Sequence, residues 1–154
     1  MIRLATRNDE QGVADLAVDS GLFAAGDAGI VTTMMADYFG SKSDQNHLCV
    51  IDEHDGPLAV ASYEAAPATD RTWYLTMIAV RLSRQGQGRG ATLMRHVEDD
   101  LRARGQRLML VQTSGLPTFS RARAFYVRCG YEQEARVRDY YEPDEDMILF
   151  RKAL

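Results

Sequence analysis

Apolar positions along this chain change between the short continuous runs of strands and the three-to-four spacing of amphipathic helices. Residues 2–5 predict a short first strand, and the helical spacing that follows predicts a helix ending near Asp19. The residues that can cap its start are Thr6, Asn8 and Asp9. Residues 30–39 have helical content and predict a second helix.

The middle of the chain predicts three strands. Two apolar runs, residues 48–51 and 58–63, flank Asp55-Gly56, and Asp-Gly between such runs is a strong hairpin signal. Residues 73–80 form an apolar run rich in β formers, which predicts a buried central strand.

A strongly amphipathic helix is predicted over residues 90–104. Its apolar positions recur at helical spacing: Leu93, Met94, Val97 and Leu101. A strand over 108–111, a short helix over 121–129 and a closing hairpin of residues 137–141 and 147–151 follow. The resulting order, β-α-α-β-β-β-α-β-α-β-β, predicts a mixed α/β or α+β sheet with helices on its faces.

The composition is ordinary for a globular protein. With 154 residues, 45% of them hydrophobic and 26% charged, the chain is long enough for one domain over residues 1–154. No apolar run approaches the roughly 20 residues of a membrane span. The N-terminus lacks a signal-peptide core, so we expect a cytoplasmic protein with no membrane partner. Cys49 and Cys129 stand apart and are predicted to be buried small hydrophobes.

The formal net charge of −4 conceals an asymmetry between the two halves of the chain. Residues 1–79 carry 4 basic and 12 acidic side chains, whereas residues 80–154 carry 14 basic and 10 acidic ones. An anionic ligand is therefore better accommodated by the C-terminal half. An acidic domain without a basic stripe interleaved with aromatic residues argues against nucleic-acid binding.

Residues 85–91, Gln-Gly-Gln-Gly-Arg-Gly-Ala, lie between the predicted strand 73–80 and the amphipathic helix. The alternating glycines leave backbone N–H groups unobstructed at the mouth of a helix, an arrangement that binds a phosphate or pyrophosphate. A tight strand-to-helix turn would need one glycine, so three of them favour close approach of a ligand.

Two families of phosphate-binding glycine loop, the P-loop and the dinucleotide-binding loop, match this segment incompletely. A P-loop would end in Gly-Lys-Ser/Thr, which is absent. The spacing Gly86-x-Gly88-x-x-Ala91 matches a dinucleotide-binding fingerprint. However, the glycines do not follow directly on Val80, and Gln112 stands where the next strand should supply an acid. A nicotinamide-dinucleotide-binding module is therefore kept as a lower-ranked alternative function.

The spacing Gln85-x-x-Gly88-x-Gly90 is similar to the acetyl-CoA-binding signature of the GNAT acyltransferase superfamily, Gln/Arg-x-x-Gly-x-Gly/Ala. Residues 122–131, with Tyr126 near their centre, resemble that family's Ala-x-x-x-Tyr…Gly-Phe/Tyr element. The good resemblance covers about residues 58–154, and the earlier elements agree more weakly.

The end of the chain resembles a GNAT subgroup with a charged final hairpin, and three positions depart from the expected pattern. Asp144 stands where that subgroup is expected to have Gly, and Gln112 stands where it has Glu. Phe119 occupies the place of an Asn that is common in the wider superfamily.

This resemblance implies a GNAT-like fold, a mixed and mostly antiparallel sheet of about six to seven strands flanked by about four helices. It implies an N-acetyltransferase that moves an acetyl group from acetyl-CoA to a primary amine of a small molecule or protein, without a metal. A non-catalytic CoA-binding sensor of the same fold is the alternative, because residues 73–80 contain no carboxylate to act as a base. A homodimer is among the assemblies to expect, since dimers are common in folds of this kind.

The resemblance also implies roles for particular residues. The implied cofactor-binding residues are Ile78, Ala79 and Val80 on the strand and Gln85, Gly86, Gln87, Gly88, Arg89, Gly90 and Ala91 in the loop. Tyr126 is the candidate general acid for the departing thiolate, because a phenol with a pKa of about 10 is close to an alkyl thiol. Glu64, at the end of the hairpin strand, is the best-placed carboxylate for the base. No His, Cys and Asp grouping has the spacing of metal ligands.

Acceptor recognition is expected from residues 21–46 and from the last hairpin, which vary most in this fold. The residues with a candidate part in it are Asp27, Asp37 and Asp44 and, in the hairpin, Asp139, Tyr140, Tyr141, Glu142, Asp144, Glu145 and Asp146. Their negative charge favours a cationic amine or amino-sugar as acceptor. An acidic surface that only confers solubility is the alternative.

Overall fold

The computed structural model describes residues 1–22, 28–40 and 45–154. Within them, seven strands and four helices follow the predicted order. The strands are β1 (Ile2–Leu4), β2 (His47–Glu53), β3 (Pro57–Ala65), β4 (Thr72–Val80), β5 (Leu108–Ser114), β6 (Glu132–Glu142) and β7 (Glu145–Ala153). The helices are α1 (Glu10–Asp19), α2 (Ala28–Gly40), α3 (Arg89–Ala103) and α4 (Ser120–Arg128). Single 3-10 turns occur at Arg7–Asp9, Leu82–Arg84 and Pro117–Phe119.

The sheet has the strand order β1-β2-β3-β4-β5-β7-β6. β4 and β5 are parallel, with Thr72 opposite Leu108 and Leu75 opposite Val111. The pairs β1–β2, β2–β3, β5–β7 and β6–β7 are antiparallel. The predicted fold class, a mixed and mostly antiparallel sheet with four helices, is therefore confirmed.

Most strands extend beyond their predicted bounds, and β6 and β5 show why. β6 begins at Glu132 rather than at residue 137, and its side chains are exposed except for a half-buried Ala135. It stands last in the strand order, and an edge strand without a buried face lacks the apolar alternation that marks a strand in sequence. β5 continues past Val111 to Ser114 because its pairing with β7 also continues to Ser114.

The chain divides into two compact units, Met1–Glu64 with Met77–Val97 and Ala65–Thr76 with Glu98–Leu154. The first unit contains β1, β2, α1 and α2, nearly all of β3, the end of β4 and most of α3. The second contains the start of β4, the end of α3, α4 and the strands β5, β6 and β7. This division does not test the expectation of a single domain over residues 1–154, which stays a prediction.

The core of the first unit is formed by apolar side chains of α1, α2 and the strands. Val13 and Leu16 of α1 are fully buried in one cluster with Val31 of α2 and Ile51 of β2. Cys49 lies in the same cluster, where burial raises the pKa of its thiol to about 12. Cys49 is therefore a buried small hydrophobe, as predicted, and an unreactive thiol.

A buried carboxylate organises part of the second unit. The Glu98 side chain of α3 is 2% exposed, accepting hydrogen bonds from the Tyr131 hydroxyl at 3.0 Å and from Lys152 Nζ at 2.8 Å. Lys152 also donates to the Cys129 carbonyl at 2.7 Å. Because both charges are paired and hydrogen-bonded, their burial is tolerated. Cys129 itself is partly exposed, which differs from the prediction that it is buried.

Asp9 organises the chain just before α1. Its carboxylate accepts hydrogen bonds from the Thr6 backbone N–H at 2.6 Å and the Thr6 hydroxyl at 2.9 Å. Arg3 donates to both carboxylate oxygens, at 2.8 and 2.9 Å. These hydrogen bonds, first of all those from Arg3, hold the pKa of the Asp9 carboxyl well below its usual range. Thr6 and Asp9, both among the predicted capping residues, thus form a capping box at the turn Arg7–Asp9, and Arg3 links this turn to β1.

Asp9→Asn is expected to lower the free energy of unfolding by about 2 kcal/mol near neutral pH, since hydrogen bonds to a charged group are lost. The folded-state pKa of Asp9 lies below the unfolded value of about 4, so its stabilisation is present above that value and is lost as the pH falls. Denaturant unfolding across this pH range should show the difference between variant and unaltered protein shrinking in acid. Asp99→Asn, which removes an exposed acid of α3, should cause little loss of stability at any pH, and a pH-independent loss in Asp9→Asn would contradict the assignment.

Candidate functional site

The glycine loop joins the end of β4 to the start of α3, through the turn Leu82–Arg84. Gly86 and Gly88 have φ values of 74° and 79°, in the left-handed region that glycine adopts without strain. A Cβ atom on either glycine would meet nothing within 4 Å. The backbone conformation, and not crowding, therefore requires glycine at these two positions, and the space beside them is open.

The first turn of α3 provides peptide N–H groups for an anion. The first N–H groups of an α-helix have no partner within the helix, and α3 begins at Arg89. The Thr92 N–H donates to the Gly88 carbonyl at 3.0 Å and closes the first turn. No acidic side chain lies in that turn to compete for the amides. The helix dipole adds a partial positive charge at the same end, so residues 86–91 suit a phosphate or pyrophosphate.

The side chain of Gln85, the first residue of the signature, forms hydrogen bonds within the protein. Its Nε2 donates to the Ser20 carbonyl at 3.0 Å and to the Val80 carbonyl at 2.9 Å. An amide NH2 group has two donors, and both are occupied. The Gln85 side chain is therefore fixed by protein partners, and its predicted part in cofactor binding stays a prediction.

Arg89 is likewise committed to a protein partner. It donates to Asp52 Oδ2 at 2.7 Å, while its Nε is buried without a hydrogen-bond partner among the described residues. Burial raises the pKa of the Asp52 carboxyl, but the Arg89 hydrogen bond and the terminal ammonium outweigh it and lower that pKa. A cleft of about 430 Å³ adjoins this pair, lined by Met1, Ile2, Asp52, Gln87, Arg89 and Thr92. The guanidinium charge of Arg89 is thus largely neutralised beside the loop.

The end of β4 carries the other residues that the resemblance implied for cofactor binding. Ile78 and Val80 are half-buried, whereas Ala79 is buried in the core of the first unit. The parallel register of β4 with β5 runs from Thr72 to Leu75. Residues 77–80 lie beyond that register and lead directly into the glycine loop.

Tyr126 belongs to the second unit, on α4, and is 8% exposed. Its ring contacts those of Phe125, Tyr131 and Phe150, at centroid distances of 5.4, 6.2 and 5.7 Å. Burial, followed by repulsion from Cys129, raises the pKa of the Tyr126 phenol well above its usual value. The proton is therefore present at any ordinary pH, but the phenol is a weaker acid than the free side chain on which its predicted match to a thiol was based.

Glu64 lies at the end of β3 that is remote from the glycine loop. In the antiparallel register it is opposite His47, and its side chain is exposed. At the other end of β3 the Leu58 carbonyl accepts the Arg81 N–H at 2.8 Å, next to the loop. Glu64 is six positions after Leu58 on the strand, a span of about 20 Å. Glu64 therefore lies away from the loop that is expected to hold the diphosphate, and its role as the base stays a prediction.

The sequence itself identifies the family. The sequence model of the acetyltransferase (GNAT) family matches residues 13–131, more than half of the chain. The chain belongs to this family. No curated protein sequence matches it.

Solved structures of GNAT proteins have the same fold. One from Desulfovibrio desulfuricans, assigned to the GNAT family, has a TM-score of 0.92 and 28% identity, covering 99% of this chain and 98% of that chain. The ribosomal-protein-S18-alanine N-acetyltransferase from Escherichia coli has a TM-score of 0.77 and 20% identity, covering 99% and 92%. An aminoglycoside 6′-N-acetyltransferase complexed with coenzyme A has a TM-score of 0.77 and 18% identity, covering 99% and 96%. The last two likenesses show the fold alone.

The regions expected to recognise the acceptor are described in part. Residues 23–27 and 41–44, with Asp27 and Asp44, lie outside the described residues. In the last hairpin, Asp144 has a φ of 67°, so the position where Gly was expected keeps a backbone conformation that glycine favours. The Asp144 N–H donates to Asp139 Oδ1 at 2.9 Å, which fixes this turn. Tyr140 and Tyr141 are about half exposed on the adjoining strand.

In the part of the chain that the structure describes, no group of three or more His, Cys, Asp or Glu side chains is placed to hold a metal ion. Among the same residues, no helix combines the length and the apolar character needed to cross a bilayer.

Gly88→Ala is expected to weaken coenzyme A binding about tenfold, because a left-handed φ costs alanine about 1–2 kcal/mol and the loop would relax from its binding shape. Coenzyme A is the probe that the sequence resemblance implies. Isothermal titration calorimetry would give the Kd. Gly105→Ala is the matched control, since Gly105 has a φ of 72° and open space around it at the other end of α3. It should lose similar stability with an unchanged Kd, and equal Kd values for both variants would contradict the role of the loop.

Proposed function

We propose that this GNAT protein is an N-acetyltransferase that moves an acetyl group from acetyl-CoA directly to a primary amine of a small molecule or a protein. The observation that carries the proposal is the loop of residues 86–91, with its glycine conformations and its place at the start of α3, where the first peptide N–H groups have no partner within the helix. Two structural neighbours are named N-acetyltransferases, for ribosomal-protein-S18-alanine and for aminoglycosides. Those names support amine acetylation as the reaction class.

The residues of the loop fit the diphosphate of coenzyme A. The peptide N–H groups of residues 86–91 would hold it, aided by the dipole of α3 and by the exposed Arg84. Ile78 and Val80 would offer backbone groups to the pantetheine arm along the part of β4 beyond its register with β5. When bound, acetyl-CoA supplies a thioester, an activated acyl donor.

The transfer reaction requires the protein to stabilise one developing negative charge and to move two protons. A peptide N–H from residues 77–79 would stabilise negative charge on the carbonyl oxygen, where one oriented donor contributes roughly 3–4 kcal/mol. Tyr126 would give its phenolic proton to the departing sulfur as the new C–N bond replaces the C–S bond. The acceptor amine must lose a proton, and deprotonating an amine with a pKa of about 10.4 near neutral pH costs about 4–5 kcal/mol. Glu64 is the carboxylate predicted for this step.

The acceptor is proposed to be cationic. Acidic side chains occupy the last hairpin, and the exposed rings of Tyr140 and Tyr141 pack edge to face beside them, at a centroid distance of 4.9 Å. A cation is attracted both to this negative charge and to aromatic faces. A cytoplasmic location and a homodimer belong to the same proposal and rest on the sequence.

Free-thiol release from acetyl-CoA, measured with a panel of cationic and neutral amines, tests the activity. We expect turnover with cationic amines, and a loss of about 100-fold or more in kcat for Tyr126→Phe with the acetyl-CoA Kd retained. Tyr131→Phe removes a neighbouring buried hydroxyl and should lower Tm while leaving kcat within about threefold. Tight binding without turnover on any amine would instead support the CoA-binding sensor. A thermal shift with NAD(P) and none with coenzyme A would support the dinucleotide module.

Glu64→Gln tests the base separately. We expect Glu64→Gln to lower kcat/KM about 100-fold and to abolish its rise with pH, because glutamine keeps the shape of the side chain but cannot accept the proton. His47→Gln, at the cross-strand partner, should leave kcat/KM within about threefold and the pH profile unchanged. An unchanged kcat/KM and pH profile in Glu64→Gln would rule Glu64 out as the base.

A further inference from the structure

The turn that opens the glycine loop is not held by packing. None of the residues Leu82–Arg84 is buried, and the Leu82 side chain is 61% exposed. Gly86 and Gly88 have no side chains and have open space around them. A segment without buried apolar contacts opens easily unless hydrogen bonds fix it. The shape of the loop must therefore be set by hydrogen bonds to neighbouring elements.

Those hydrogen bonds come from the C-terminal end of α1. Asp19, the last residue of α1, accepts the Leu82 N–H on Oδ2 at 3.0 Å. The next carbonyl along the chain, that of Ser20, accepts a Gln85 Nε2 hydrogen at 3.0 Å, and Gln85 also donates to Val80 at 2.9 Å. These contacts, which we term the α1 clamp, hold both sides of the turn. All of them lie within the first compact unit.

The chemistry of the two side chains excludes direct contact with a phosphate as their purpose. Asp19 is an anion and would repel a phosphate at close range. Gln85 has two amide donors, both already used, and its remaining polar atom is an acceptor that a phosphate oxygen cannot donate to. Residues of this kind beside an anion site act through the backbone that they hold.

We infer that Asp19 and Gln85 are positioning residues, which hold the peptide N–H groups of residues 86–91 in their anion-binding arrangement. This inference rests on the proposed binding of acetyl-CoA by that loop. It assigns to α1 a part in cofactor affinity although α1 provides no ligand. It also explains why the signature accepts Gln or Arg at position 85, since both side chains donate more than one N–H.

The experiment compares four variants and one control variant with the unaltered protein, by calorimetric titration with acetyl-CoA, Tm and hydrogen exchange of residues 82–91 without ligand. Asp19→Ala and Gln85→Met are expected to raise the Kd about tenfold, since each removes hydrogen bonds that fix the loop. Both should also speed exchange in the loop. Asp19→Asn and Gln85→Arg, which keep an acceptor and donors respectively, should remain close to the unaltered Kd.

Asp15→Ala is the matched control, because Asp15 is an exposed acid one turn earlier on α1 that contacts Gln11. It should alter neither the Kd nor exchange in the loop. A lower Tm in Asp19→Ala and Gln85→Met with an unchanged Kd and unchanged loop exchange would overturn the inference and leave the proposed function intact. Failure of the unaltered protein to bind acetyl-CoA would overturn both.

Discussion

Peptide N–H groups that bind an anion must lack an internal partner and yet be held still. In this GNAT protein the requirement falls on a segment with almost no side chains to pack. Gln85 answers it by joining the end of β4 to the end of α1 through the Val80 and Ser20 carbonyls. Asp19 adds a bond to the turn at Leu82. In the proposed coenzyme A site, the binding surface would be made of backbone, and the side chains of Gln85 and Asp19 would shape it.

Much of this arrangement follows from the sequence because it depends on local periodicity and backbone chemistry. The four apolar positions predicted for α3 are all buried, since a helix with one apolar stripe can satisfy it in one orientation only. The glycines at 86 and 88 adopt the positive φ that glycine permits. The hairpin around Asp55-Gly56 forms with Asp55 at a φ of 53° and Gly56 at 113°, as such a dipeptide favours.

Other features depend on tertiary contacts that local patterns do not encode. The hydrogen bonds of the Gln85 side chain could not be predicted, because the sequence does not show that the Ser20 and Val80 carbonyls face it. The burial of Glu98 could have been predicted from the sequence, because Glu98 falls at helical spacing between Met94 and Leu101 and so places a charge in the apolar stripe of α3. Its partner Lys152 is 54 residues away along the chain. Glu64 was predicted at the end of the strand beside residues 73–80 and does lie near the end of β3, while its role as the base stays a prediction.

The ion pair between Asp52 and Arg89 has a consequence for how the loop attracts its ligand. With the guanidinium balanced by a carboxylate at 2.7 Å, the attraction for the proposed diphosphate at the start of α3 would come mainly from oriented peptide dipoles, which carry no net charge. Dissolved ions screen net charges over about 8–10 Å, but they weaken a direct amide-to-anion hydrogen bond far less. The affinity of this loop for an anion should therefore decrease less with rising ionic strength than the affinity of sites built from lysine and arginine side chains.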